Sequence, residues 1–346
     1  MTERAYLDWN ASAPLRPEAR AAMAEAMDVA GNPSAVHAEG RAARKLIEAS
    51  RTRLARALGA EGAEIVFTSG ATEAAALALA ERDLAAAPVE HPAVLAWTRP
   101  ELAVDSAGRV AVDDPAASTL QLANSETGIL QSLPTGLAVA DLTQAAGKIP
   151  LSFDDLGCSA GILSAHKLGG PKGVGALILR PGTEIAPRIR GGGQEQGRRA
   201  GTENLIAIVG FAAAAEAAAR DVAAGRWEAV AEVRNILEKT LVQAACGTIS
   251  VGQGSERLPN TSLIATPGWK GETQVMQMDL SGFAASAGPA CSSGKTRASG
   301  VLAAMGLERL EGCALRVSIG PDIGARTIER FAERWLAHHT RRAGAA

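Results

Sequence analysis

Apolar residues along this chain fall into two patterns, short continuous runs that end in small or polar residues and longer alanine-rich stretches with helical spacing. Glu64-Ile-Val-Phe-Thr-Ser-Gly70 reads as a buried strand running into a glycine turn, after which Ala71-Thr72-Glu73 opens a helix. Leu120-Gln-Leu-Ala-Asn124 is a strand ending in polar residues, Gly136 to Asp141 is the next, and Val174 to Leu179 is another. Pro17 and Glu18 begin an alanine-rich helix that Gly31-Asn32-Pro33 stops, since proline suits a first turn and glycine a helix end. Ser34 is then expected to cap a second helix, whose face of Arg41, Arg44, Lys45, Glu48, Arg51 and Arg53 reads as solvated. One long helical stretch is expected at about 205–245, leading through a hinge to a smaller α+β unit on which Trp227 packs. Strands alternating with helices predict an α/β protein, whose ligands sit at the carboxyl ends of its parallel strands.

Composition narrows the class. With 346 residues, 47% apolar and 21% charged, the chain can bury a large core and is not a disordered one. A net charge of -2, with both signs interspersed, gives no reason to expect nucleic acid or an anionic membrane surface as a partner. The first residues form no apolar leader and no later run approaches a membrane span, so a cytoplasmic address is expected. Four cysteines at 158, 246, 291 and 313 are too few and too scattered for a disulfide framework or a zinc site, and no metal is expected. Cys158, Cys246 and Cys313 read as buried, inert thiols. Cys291 stands instead in Ser281-Gly-Phe-Ala-Ala-Ser-Ala-Gly-Pro-Ala-Cys291-Ser-Ser-Gly294, too small and glycine-rich to build a core, which makes it a candidate nucleophile on an accessible loop.

The densest chemistry lies between Asp141 and Lys167. Lys167, in Ser164-Ala-His166-Lys167 before a glycine-rich turn, is either a solvated loop lysine or an amine held toward a cleft, as a Schiff-base lysine must be. Asp141 and Gln144 upstream would complete a pocket for pyridoxal phosphate, the carboxylate facing the pyridinium nitrogen and the amide the ring hydroxyl. Ser69, Ala71 and Thr72 form either a phosphate site at a helix N-terminus or an ordinary capped helix. His91, before Pro92, reads as a capping or surface histidine unless other residues assign it more. The polar loop from Gly191 to Asn204 places Thr202 near a helix start as a further phosphate ligand. Arg316, inside the apolar run Leu315 to Gly320, requires a carboxylate partner, and a substrate carboxylate would serve. Gly169 to Gly175 is no P-loop, because neither Ser nor Thr follows Lys172.

In collinear order, Tyr6-Leu-Asp-x-Asn-Ala, Gly31-Asn-Pro-Ser, Phe67-Thr-Ser-Gly-Ala-Thr-Glu, Glu90-His-Pro, Ser164-Ala-His-Lys, Gly170-Pro-Lys-Gly-Val-Gly-Ala-Leu, Gly192-Gly-Gln-Glu-x-Gly-x-Arg-x-Gly-Thr-Glu-Asn, Ala290-Cys-Ser-Ser-Gly and Arg316-Val-Ser-Ile-Gly span nearly the whole chain. Together they resemble the class V aminotransferase-like pyridoxal phosphate enzymes and, within them, the cysteine desulfurases. The resemblance implies the fold type I architecture of pyridoxal phosphate transferases: a large α/β domain at 14–222 with a mostly parallel seven-stranded sheet. A small α+β domain of 1–13 and 223–346 would carry the Cys291 loop. It also implies roles: Lys167 binds the cofactor, Asp141 and Gln144 hold its ring, and His91 stacks on it and moves protons. Ala71, Thr72, Ser164, His166 and, from the other subunit of a homodimer, Thr202 form the phosphate cup. Arg316 with Asn32 holds the substrate carboxylate, and Cys291 accepts sulfur from L-cysteine, leaving alanine, and passes it to an acceptor protein such as an iron–sulfur scaffold. A selenocysteine lyase or aminotransferase on the same fold, or an idle binding protein of a sulfur assembly, are the alternatives.

The chain departs from that family in four ways, three of them substitutions: Ser125 stands for an asparagine, the pair Ala75 and Ala76 for two more, and Pro289 for a serine. The fourth departure is larger, since the crossover helix before Asp141 is reduced to residues 129–135. Seven extended residues reach about 23 to 25 Å, enough to run back along a strand without a helix. A trimmed domain is therefore expected, one sheet face partly bare there and covered by a dimer partner.

Overall fold

The computed structural model describes residues 4–288 and 300–344; Pro289 and the candidate nucleophile Cys291 lie outside the described residues. After β1 (Ala5–Tyr6), helices α1 (Pro17–Met27) and α2 (Ala38–Ala57) precede β2 (Glu64–Thr68) and α3 (Ala71–Leu79). There follow β3 (Ala85–Ala86), the single turn α4 (Pro92–Leu95), β4 (Arg99–Pro100), β5 (Thr119–Gln121), β6 (Val139–Asp141), α5 (Phe153–Leu156), β7 (Ala160–Ser164) and β8 (Gly175–Leu179). Five of these strands form one sheet in the order β2-β8-β7-β6-β5. A parallel bridge from Ser118 to Ala85 continues it into the parallel β3–β4 pair, bringing seven strands together. Only β8 runs against its neighbours, antiparallel to both β2 and β7. Strands β7 and β8 are buried at every position, as continuous apolar runs covered on both faces must be.

One face packs on Ile47 and Leu54 of α2 and on α6 (Leu205–Ala223), with Phe211 at the centre. The other packs on α3 through Ala74, Leu77 and Ala78. Alanine at these contacts lets the helix backbones lie close to the sheet. A second unit contains α7 (Arg226–Ala244), β9 (Ile249–Ser250), β10 (Thr261–Ala265), α8 (Gly271–Leu280), β11 (Phe283–Ala284), α9 (Gly300–Ala304), β12 (Ala314–Ser318) and α10 (Ala325–Ala343). Its antiparallel sheet runs β12-β10-β9, and β1 pairs in parallel with β11 as a separate two-stranded sheet of the same unit. Leu7 and Trp9 enter the same core as Trp227, Phe283, Phe331 and Trp335. A Cβ at Gly320 would overlap the Trp9 ring at 1.9 Å, so the absence of a side chain there is what admits the N-terminal segment.

Several local expectations are corrected. Ser34 does not cap α2: its own N–H is taken by Asn32 Oδ1 at 2.8 Å, and His37 is the cap, accepting from Gly40. The stretch at 205–245 is two helices, broken at Gly225 in the left-handed region at φ 69°. The strand expected from Gly136 is paired only from Val139, because Gly136 (φ 86°) is a turn residue. Cys158 is buried and its thiol is pushed up to about 11 by burial, whereas Cys246 is exposed, at the end of a helix where no core covers it. Residues 129–135 carry no helix; Ile129 is buried against Leu263 and Val251 and bridges Arg257, while Leu130 bridges Ala123. Beside this segment Leu122, Leu130, Ile149 and Leu151 line an open groove of about 530 Å³.

Candidate active site

Strands β2, β5, β6 and β7 end at one edge of the sheet, because β2 and β7 are each antiparallel to β8 while β7, β6 and β5 are parallel. A cavity of about 430 Å³ opens there. Its walls are Ser69 to Thr72 at the start of α3, His91 at α4, Asp141 at the end of β6 and Gln144 beyond it, Ser164 at the end of β7 with His166 and Lys167 beyond it, and Ser12 and Ser125. The convergence depends on glycine. A Cβ at Gly175 would lie 2.7 Å from the Gly70 backbone and 2.5 Å from the Leu163 carbonyl oxygen, too close for any side chain.

Lys167 stands on a short 3₁₀ turn after β7, and its Nζ donates to the backbone oxygens of Asn10 at 2.6 Å and Ala11 at 3.0 Å. Next to it, burial and then the charges of Lys167, Lys172 and Lys148 push the His166 imidazole down to about 4, so the ring is neutral near pH 7. Asp141 ends β6, and its Oδ1 accepts from the Thr143 backbone at 2.9 Å. Gln144 donates from Nε2 to Asn10 O at 3.0 Å and accepts at Oε1 from Lys148 at 2.8 Å. At the start of α3 the first backbone N–H groups have no partner within the helix and face the cavity with the positive end of the dipole. Glu73 fixes that turn, accepting from the Ser69 N–H at 2.8 Å and pairing with Arg199 at 2.8 Å. Although burial raises the Glu73 carboxyl, the bonds from Arg199 and Ser69 outweigh it and hold the group below its usual range. His91 does two things at once: its Nδ1 caps α4 by accepting from Ala93, and its ring lines the cavity.

Other expected residues are not brought to these walls. Arg316, on β12 and 2% exposed, already has a carboxylate partner within the chain, Asp8, at 2.7 Å. Its second nitrogen donates to Ser125 O at 3.1 Å, so among the described residues it reaches the rim of the cavity through that backbone oxygen. Asn32 is exposed and engaged with Ser34 in a turn, away from the cavity walls. Thr202 is exposed on the loop that Arg51–Glu195 and Arg199–Glu73 tie to α2 and α3.

Reading the sequence also missed residues. Asn10 is buried behind the cavity wall, with bonds to Ser125, Thr261, Lys148 and Asn260. Lys148 is 1% exposed, and burial, then the charges of Lys167 and Arg316, holds its amine well below the usual lysine value. Behind His91, Glu90 is buried with one oxygen accepting from Gln121 N at 2.8 Å and the other without a partner. Burial, reinforced by the Asp141 charge and only partly offset by the Gln121 bond, keeps that carboxyl protonated well above its ordinary value.

This fold and site define a class. The family described as "Aminotransferase class-V" matches residues 5–100 and 113–331, and the chain belongs to it. Its members are enzymes of pyridoxal phosphate, and the architecture described above is their fold type I. Among the relatives, a cysteine desulfurase of Cereibacter sphaeroides is 37% identical over 370 aligned residues, covering 96% of this chain and 94% of the relative. The crystal structure of a NifS-like protein from Rickettsia africae ESF-5 superposes with a TM-score of 0.88 at 28% identity, covering 98% of this chain and 100% of the other. SspA, solved in complex with cysteine, superposes with a TM-score of 0.75 at 27% identity over 92% of this chain and 99% of its own. Among the described residues no helix is long and apolar enough to cross a membrane, and no group of His, Cys, Asp or Glu is arranged to hold a metal.

Proposed function

We propose that the chain is a pyridoxal phosphate-dependent cysteine desulfurase, which takes sulfur from L-cysteine and releases L-alanine. The observation that carries this reading is the meeting of Lys167, Asp141, Gln144 and His91 with the α3 N-terminus around one cavity of about 430 Å³. Those walls fit the cofactor at each part. The N–H groups of Ala71 and Thr72, which have no partner within the helix, with Ser164 and neutral His166, suit a phosphate; Asp141 suits a ring nitrogen, Gln144 a ring oxygen and Lys167 an aldehyde carbon. Thr202, exposed on its loop, would serve the phosphate of a second copy in a homodimer. Bound there, pyridoxal phosphate supplies an electron sink for the substrate's α-carbon.

The chain's own groups do the rest. Lys167 would hold the cofactor, and its amine is the group placed to take the substrate's α-proton. His91 passes protons at the same face. Arg316 receives the substrate carboxylate, which must share or displace the hold of Asp8 on the guanidinium. The Cys291 thiolate attacks the substrate sulfur: the carbon–sulfur bond breaks, a sulfur–sulfur bond forms on the enzyme, and alanine leaves. An acceptor protein, such as an iron–sulfur scaffold, then takes the outer sulfur from Cys291.

An absorption spectrum and a product assay test this together. Adding pyridoxal phosphate should give a visible band that L-cysteine perturbs. Cys291→Ala should keep the band while losing sulfide and alanine formation. A protein that stays colourless with the cofactor overturns the reading, and a Cys291→Ala variant with full turnover makes the chain an aminotransferase or lyase that does not need the thiol.

A further inference from the structure

We propose that Lys148 is a positioning residue: its amine, buried beneath the cavity, fixes the Gln144 side-chain amide so that the free Nε2 hydrogen points to the cofactor's ring oxygen. This rests on the reading of the cavity as a pyridoxal phosphate site. Lys148 does not line the cavity; Gln144 does. The two are four residues apart on the turn that follows Asp141, with Lys148 Nζ 2.8 Å from Gln144 Oε1. The same amine lies 3.0 Å from Asn10 Oδ1.

An amide has two ends of nearly equal size, so its shape alone does not decide which end faces the site. The partners decide. An amine offering its N–H groups to Oε1 accepts only one arrangement, with Nε2 on the other side. There one Nε2 hydrogen meets the Asn10 backbone oxygen at 3.0 Å, and the second is left for the cavity. Lys148 orients the Asn10 amide in the same way, sending its Nδ2 to Thr261 Oγ1 at 2.8 Å and Ser125 O at 3.2 Å.

The amine itself is matched to the task. Among the described residues no carboxylate pairs with it, and Lys167 and Arg316 are the cations that press on it. As a donor it offers an N–H group to each of the two side-chain oxygens present, Gln144 Oε1 and Asn10 Oδ1. A methionine would fill the same space if burial were its whole purpose.

The test uses the holoenzyme. A donor on the ring oxygen draws charge from it and weakens its hold on the neighbouring proton, so losing the donor should raise the pH midpoint at which the visible band of bound pyridoxal phosphate changes. Lys148→Met should raise that midpoint and weaken equilibrium binding of pyridoxal phosphate by about tenfold, the worth of one hydrogen bond. Gln144→Ala should move both readings by a similar amount, and the double variant should move them no further. If Lys148→Met does not fold, Lys148→Gln, which keeps two N–H groups but on a shorter side chain that also carries an oxygen, should shift the midpoint in the same direction by less. Shifts that add in the double variant, or a folded Lys148 variant with unchanged midpoint and affinity, overturn the inference. A wild-type protein that takes no colour from pyridoxal phosphate fails at the earlier step and marks the site reading as the fault.

Discussion

Replacing Asp8 by asparagine would remove a charge from the contact that joins the N-terminal segment to β12, with almost no change of shape. In the native protein Asp8 Oδ1 meets Arg316 at 2.7 Å and Oδ2 accepts from Ser286 Oγ at 2.7 Å. The arginine side chain is 2% exposed and the aspartate 16%, so the cation loses its counter-charge where water scarcely reaches it. Breaking a fully buried pair costs about 3–5 kcal/mol. The partial exposure of Asp8, and the Ser125 oxygen that stays on Arg316 at 3.1 Å, put this case lower, at roughly 2–3 kcal/mol. For a chain of this size the thermal midpoint should fall by about 3–4 °C. A double-mutant cycle with Arg316→Met isolates the pair: Asp8→Asn should cost little once the guanidinium is gone, with a coupling of about 2 kcal/mol. The assay is the thermal midpoint of the four proteins by intrinsic tryptophan fluorescence. Additive effects, or a single Asp8→Asn variant as stable as the native protein, would refute the claim that Asp8 neutralises Arg316 at rest.

Two pH predictions follow from buried groups. The folded-state pKa of Glu90 is raised, so its contribution to stability is present below the ordinary 4.5 and is lost as pH rises through the raised value; Glu90→Gln should flatten the fall in thermal midpoint toward alkaline pH, and an unchanged slope would contradict this. His166 has the opposite sense: its folded value of about 4 lies below the ordinary 6.5, so the folded state binds fewer protons and stability is lost as pH falls through that window. In protein freed of cofactor the loss should reach about 2 kcal/mol, discounted for the ring's partial exposure, and His166→Asn should abolish it in an acid titration of the unfolding midpoint.

What the sequence made legible was local. The turn from β2 into α3 and the delivery of Asp141 by β6 could be read because an apolar run ends there in small or polar residues. Arg316 could be recognised as needing a carboxylate, because an arginine inside an apolar strand cannot stay unpaired. Its partner could not, since Asp8 lies 308 residues away and no local pattern links the two. Lys148 was illegible for the same reason. A lysine four residues after a glutamine looks like any surface turn, and only the fold brings Asn10, 138 residues distant, against its amine. Ser34 was read as a cap on composition, but Asn32 took its N–H first and moved the helix start to His37. The split at Gly225 was hidden by alanine on both sides, which suits one helix or two.

Free cysteine should leave its sulfur on the Cys291 thiol. Mass spectrometry of the peptide that carries Cys291, after the enzyme has been incubated with pyridoxal phosphate and L-cysteine and trapped without reductant, is the measurement that decides it. That peptide should be heavier by one sulfur atom, with alanine in solution and the extra mass removed by a thiol reductant. An unmodified Cys291 in a coloured enzyme that still releases alanine would contradict it.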